Sequence, residues 1–415
     1  MSRVRSPMLA CNLERLRADL DELSGIGRAS DHGIHRTAFS AADMQARAWL
    51  RERLEAAGLP HAMDGAGNVS GWLGDATATT VMTGSHLDSV PGAGHLDGAL
   101  GVICGLEALR VLAESDLGLR HRVELVGFSD EEGRFGGLFG SQALCGQLTP
   151  EDLAAAEDLD GVKLTEAMAE HGMDAREALA AHRAPGSILA FVELHIEQGP
   201  VLDRQQVPLG VVEAITGLFK WNVRYTGAAD HAGTTPMDLR RDAFQGMAEF
   251  AQQMTRVLEE YGSPRSRATV GRVQLHPGAA NVVPGIAEFS LDVRDTNPAV
   301  LADLASAFRR TLEAIARRRG LMFEFEVLSE IAPVRCHDSV VSAIEAAAAE
   351  REVNAMRLPS GAAHDTQIMA SIAPAGMIFV PSRDGRSHSP AEWTSLRDIE
   401  TGTNVLIGTL LRLAA

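Results

Sequence analysis

Residues 81–98 read VMTGSHLDSVPGAGHLDG. An apolar start runs straight into His86, Leu87 and Asp88, and a glycine-rich turn then leads to a second acid, Asp97. A short apolar run of this kind predicts a strand buried on both faces. The same form recurs along the chain. RVELVGFS (122–129) runs into Asp130, Glu131 and Glu132, ILAFVEL (188–194) into His195, and GMIFVPS (376–382) into a polar loop that holds His388. Helical patterns separate these runs. SAADMQARAWLRERLEAAG (40–58) opens with Ser40 and Asp43 spaced as a capping box, and 98–114 carries Leu100, Ile103, Leu106 and Leu109 on one stripe. Strands alternating with helices predict an α/β domain with a mostly parallel mixed sheet.

Between 214 and 330 the rhythm changes. FKWNVRYTG (219–227) alternates as a strand, and 242–262 is helical. Two strands follow in 267–278 and 287–295, then a helix over 298–320 and an alternating strand over 321–331. This β-α-β-β-α-β order predicts a ferredoxin-like α+β domain inserted at 214–330. The α/β domain is then discontinuous, made of 1–213 and 331–415.

The chain has 415 residues and a formal charge of −17. That acidity opposes approach to nucleic acid or an anionic membrane, so neither is expected as a partner. The four cysteines are scattered without a CxxC pair, which argues against a thiolate metal site and a disulfide scaffold and fits a reducing compartment. The N-terminus lacks a signal-peptide pattern and no apolar run approaches 18 residues, so a cytoplasmic protein is expected.

In open α/β sheets the carboxyl ends of the strands form the ligand crevice. His86, the Asp130–Glu132 trio and His195 should therefore converge, with Asp97 swung back over them and His388 as a further candidate. Histidines with carboxylates make a nitrogen and oxygen donor set, suited to zinc, manganese, cobalt or nickel rather than calcium. One carboxylate can bridge two ions about 3.5–4 Å apart. Of the adjacent Glu131 and Glu132, one could hold metal while the other takes a proton from water.

The motifs then become specific. GSHLDSV, HLDGALGV, FSDEEG with RFGGLFGSQAL, ELHIEQGPVLD, HAGTTPM with RRDA, PGAANVVPG, DVRD, SGAAHD and PSRDGRSHSP follow one another in order. Together they resemble the hydantoinase/carbamoylase family of amidases, which includes N-carbamoyl-L-amino-acid hydrolases, β-ureidopropionases and allantoate amidohydrolases. The resemblance runs from about residue 40 to the end. It implies an aminopeptidase-like catalytic domain that hydrolyses a linear ureido or amide C–N bond in a small N-carbamoyl amino acid or related ureido acid. It implies two divalent metal ions, one on His86, Asp97 and His195 and the other on Asp97, Glu132 and His388. Glu131 matches the family's general base, and Asp88 would orient His86. The inserted domain would form a homodimer and act as a lid, its His231 reaching the neighbouring subunit's site to stabilise the oxyanion. Gln198, Asn281 and Arg294 match the remaining substrate contacts.

Two other readings stand beside this one. An aminoacylase or dipeptidase activity is disfavoured by His195, where peptidase relatives often use a carboxylate. A non-catalytic dimeric binding protein is disfavoured by intact Glu131 and a complete donor set.

Overall fold

The computed structural model describes residues 8–415 apart from 76 and 116. The chain divides into two compact units, one of residues 1–213 and 336–415 and one of residues 214–335. The first is built on a mixed sheet whose strands lie in the order His61–Met63, Val69–Leu73, Arg122–Phe128, Thr80–His86, Ile188–Ile196, Ala375–Val380 and Leu209–Ile215. The four strands from Arg122–Phe128 to Ala375–Val380 run parallel, and the pairings outside them are antiparallel. Each of these four follows one of the apolar runs, and nearly every position in them is buried. Both faces must therefore be covered.

Alternation of side chains shows how. Met82 packs with Val126, Phe128, Phe191 and Met369 on one face. Thr83 and Ser85 point the other way, toward helix Ala99–Ala113, where Gly105 and Gly101 lie against them. That helix is buried on every side rather than along one stripe, because helices Leu13–Leu23 and Leu396–Ala414 close over its outer surface. The helix expected over 40–58 forms at Ala41–Ala56, capped by the Ser40 hydroxyl on the Asp43 N–H. The reciprocal half of the expected box is absent. The Asp43 carboxylate accepts instead from Phe39 N and from Arg47, an ion pair buried with it.

The second unit carries an antiparallel sheet in the order Met322–Ile331, Gly217–Thr226, Ile286–Asp295 and Arg267–Thr269, with Val273–His276 also paired to Ile286–Asp295. Helices Ala243–Tyr261 and Pro298–Arg319 cover one face through Phe250, Phe308, Leu312 and Ile315, packed on Trp221, Tyr225, Phe289 and Leu291. Strand Ile286–Asp295 alternates strictly. Ala287, Phe289, Leu291 and Val293 face this core, and Glu288, Asp292 and Arg294 face away. The unit runs to Arg335 rather than 330, and Ile331 still pairs with Leu218 in its sheet.

All four cysteines are free thiols, and burial pushes Cys104, Cys145 and Cys336 up to about 12 and Cys11 to about 11. Among the described residues no helix is long and apolar enough to cross a membrane.

Candidate metal centre

The carboxyl ends of the four parallel strands bring the expected side chains of the first unit together. His86 closes strand Thr80–His86, Glu131 and Glu132 follow Arg122–Phe128, His195 is near the end of Ile188–Ile196, and His388 lies in the loop after Ala375–Val380. Asp97 stands between them. Its Oδ1 is 3.2 Å from His195 Nε2 and 3.8 Å from His86 Nε2, and its Oδ2 is 3.2 Å from His388 Nε2. Two donor groups result, His86–Asp97–His195 and Asp97–Glu132–His388, which share Asp97. One carboxylate oxygen faces each. His388 forms the rim, with its side chain 47% exposed, while His86 and His195 are buried in the floor.

The two floor imidazoles present the same nitrogen for the same reason. His86 Nδ1 lies 3.0 Å from the Asp88 carbonyl oxygen, and His195 Nδ1 2.9 Å from that of Ile196. An Nδ1–H donated to a carbonyl leaves the Nε2 lone pair aimed at the site. Asp88 thus hydrogen-bonds His86 through its backbone, while its carboxylate, 3.9 Å from His86 Nδ1, also has a second task. It accepts from the N–H groups of Glu131 at 3.2 Å and Glu132 at 3.1 Å, fixing the turn that carries both glutamates. Asp130 is turned away, its carboxylate accepting from Phe135 N.

Glu131 Oε2 is 3.6 Å from His86 Nε2, yet Glu131 belongs to neither donor group. Burial drives its carboxyl well above the usual range, and Glu132, Asp365, Asp88 and Asp97 push it the same way. Glu132 Oε1, 3.3 Å from His388 Nε2 but outside hydrogen-bond geometry, is buried without a donor. So many acids in one pocket are costly without compensating charge. Divalent cations between imidazoles and carboxylates supply that charge, so the residues fit the expected metal.

Gln198, expected to touch substrate, donates its amide to Asp97 Oδ2 at 2.8 Å. The other expected contacts lie in the second unit. His231 is exposed there, its Nδ1 accepting from Gly233 N and Thr234 N, so Nε2 points outward. It is bridged to Val282, next to the exposed Asn281. Arg294 holds Asp292 through Nε at 2.9 Å.

A third buried group, Glu193–His195–His364, escaped sequence reasoning. Glu193 is saturated by the Ser85 hydroxyl and by the N–H and hydroxyl of Thr366, so it braces the floor. Its signal was available: an acid two positions before His195 in an otherwise apolar strand.

The profile of the peptidase family M20/M25/M40 matches residues 82–412. The chain belongs to this family. An N-carbamoyl-L-amino acid amidohydrolase of Geobacillus stearothermophilus is 41% identical to this M20/M25/M40 chain over 406 residues, 97% of this chain and 98% of that one. An allantoate amidohydrolase of Escherichia coli is 33% identical over 405 residues, again 97% and 98%. The crystal structure of a hydantoinase/carbamoylase family amidase from Burkholderia multivorans superposes with a TM-score of 0.91 at 34% identity, covering 98% of this chain and 99% of that one.

Proposed function

We propose that this protein hydrolyses a linear ureido or amide C–N bond in a small N-carbamoyl amino acid or related ureido acid. The observation that carries the reading is the position of Glu131, a buried carboxyl beside two donor groups and part of neither. Two divalent cations, of zinc, manganese, cobalt or nickel, held by His86, Asp97 and His195 and by Asp97, Glu132 and His388, would supply positive charge that polarises the substrate carbonyl and acidifies water. Glu131 takes the proton of the attacking water and returns it to the leaving nitrogen. Burial suits it to this, because a carboxyl of raised proton affinity can hold a proton between two transfers. Asp88 keeps Glu131 in place through the backbone. Gln198 sits beside Asp97, where an amide can orient a bound ureido group.

The second unit supplies the remaining contacts. Arg294 offers a planar fork to the substrate carboxylate, and His231 and Asn281 offer donors to the developing oxyanion. Arg294 pairs with Leu218, whereas Ile286, nearer to Asn281, pairs with Thr226 at the other end of the strand. At about 3.3 Å per residue these ends are roughly 25 Å apart. One copy of the unit cannot set all three residues around one small molecule, which supports a homodimer whose copies exchange His231 and Asn281. The free thiols fit a cytoplasmic location.

Glu131→Gln tests the mechanism. It should lower turnover by about 10²-fold or more while the metal content stays unchanged. A fully active variant overturns the assignment. Ammonia release from N-carbamoyl-L-amino acids, N-carbamoyl-β-alanine and allantoate, measured beside hydrolysis of N-acetyl amino acids, identifies the substrate class.

A further inference from the structure

Asp97 and His388 come from loops far apart in the chain, and a second acid joins them. Glu392 is only 2% exposed and accepts three hydrogen bonds. Its Oε1 receives the backbone N–H of Leu96 at 2.7 Å and that of Asp97 at 3.1 Å, and its Oε2 receives the Ser387 hydroxyl at 3.1 Å. That hydroxyl has one proton, shared between Glu392 and the closer Asp97 Oδ2 at 2.5 Å. Both loops are thereby pinned to one carboxylate. Gly94 makes room for it, since a Cβ there would lie 2.2 Å from Glu392 Oε1 and 2.4 Å from Glu392 Cβ.

A carboxylate is an expensive choice for this post. Glu392 is buried and sits directly behind the Asp97 loop, so its charge has little solvent and faces a like charge. A neutral amide could accept the same two backbone N–H groups without that cost. A second negative charge behind the shared carboxylate is useful if the front of that carboxylate holds cations.

We propose that Glu392 is a positioning residue of the metal centre. It orients Asp97 so that one oxygen faces each donor group, ties the His388 loop to it through Ser387, and adds negative charge that strengthens cation binding. The inference rests on the reading of Asp97 and His388 as metal ligands.

The test loads the full-length protein with Co²⁺ at pH 8 and reads affinity by equilibrium dialysis and ligand geometry by the visible absorption bands. Groups that hydrogen-bond a metal ligand typically contribute about 10–100-fold to affinity. Glu392→Gln keeps the shape and should weaken Co²⁺ binding about tenfold and shift the bands. Glu392→Leu and Gly94→Ala, which remove or displace the carboxylate, should lose more. Excess Co²⁺ should restore kcat to the Gln variant with KM unchanged, which general loosening of the fold would not allow. If wild type binds Co²⁺ and the Gln variant matches it in affinity and spectrum, the inference is overturned. If wild type binds neither Co²⁺ nor Zn²⁺, the metal reading itself fails, and this inference with it.

Discussion

With metal chelated away, protons would stand in for the cations. Burial disfavours charge on His195, but Asp97, Glu193 and the Ile196 carbonyl together outweigh it and push it up to about 9. The carboxylates of Asp97 at 3.2 Å, then of Glu132 at 3.3 Å, push His388 up to about 10. Burial also raises the acids, Asp88 to about 6, Glu392 to about 7 and Asp365 to about 8. In every case the folded chain keeps a proton that the unfolded chain has released, so stability falls as pH rises. The window opens near 4, where unfolded carboxylates ionise, passes the free imidazole value near 6.5, and closes about 10. Asp97, held well below its usual range because the imidazoles of His195 and His388 outweigh burial, opposes this only in strong acid. The melting temperature of chelated protein should therefore drop steadily from pH 6 to 10, and metal should remove much of that slope. Calorimetry with and without chelator checks it, and a rising curve in chelator would contradict the charge assignment. Sequence marked His86 and Glu131 because each lies at or just past a strand end, and Asp97 because it closes the glycine loop ahead of a helix. It did not reveal that Asp88 works through its carbonyl on His86 and its carboxylate on the Glu131–Glu132 turn, since spacing does not say which atom of a residue is used. Nor did it single out Glu392, whose partners are Leu96 and Asp97 in a loop from the other end of the chain.

Helix Ala99–Ala113 shows what an element must satisfy to place a site. A Cβ on Gly101 would lie 2.3 Å from the Leu194 carbonyl oxygen and 2.7 Å from Ser85 Cβ, so the helix touches two parallel strands at that point. Gly101→Ala should destabilise the protein by about 1–3 kcal/mol, as overpacking does, seen as a lower midpoint in urea. An unchanged midpoint would mean that the contact yields freely. The parallel strands were legible because strands buried on both faces are short apolar runs. Helix Leu13–Leu23 was not identified although Leu16, Leu20 and Leu23 recur at helical spacing on its buried face, and the strand pair His61–Met63 and Val69–Leu73 was missed because both strands are short. The buried outer surface of Ala99–Ala113 also eluded periodicity, which cannot foresee that other helices will cover a face.

The second unit carries a core of its own, and the change of rhythm near 214 announced it. An apolar cluster that includes Phe250, Phe289 and Phe308 is enough for a unit of this size to fold alone. Residues 214–335 expressed separately should unfold cooperatively, and the full chain should sediment at twice its mass if that unit pairs two copies. A monomer at micromolar concentration would overturn the proposed homodimer. The four cysteines, two buried and two half-buried, have a practical consequence. A thiol pushed to about 11 or 12 holds almost no thiolate at neutral pH, and thiolate is the species that reacts. A single new cysteine in place of the fully exposed Leu159 would therefore take a maleimide fluorophore ahead of the native four, so the protein can be labelled at one chosen point without first being stripped of its own sulfur.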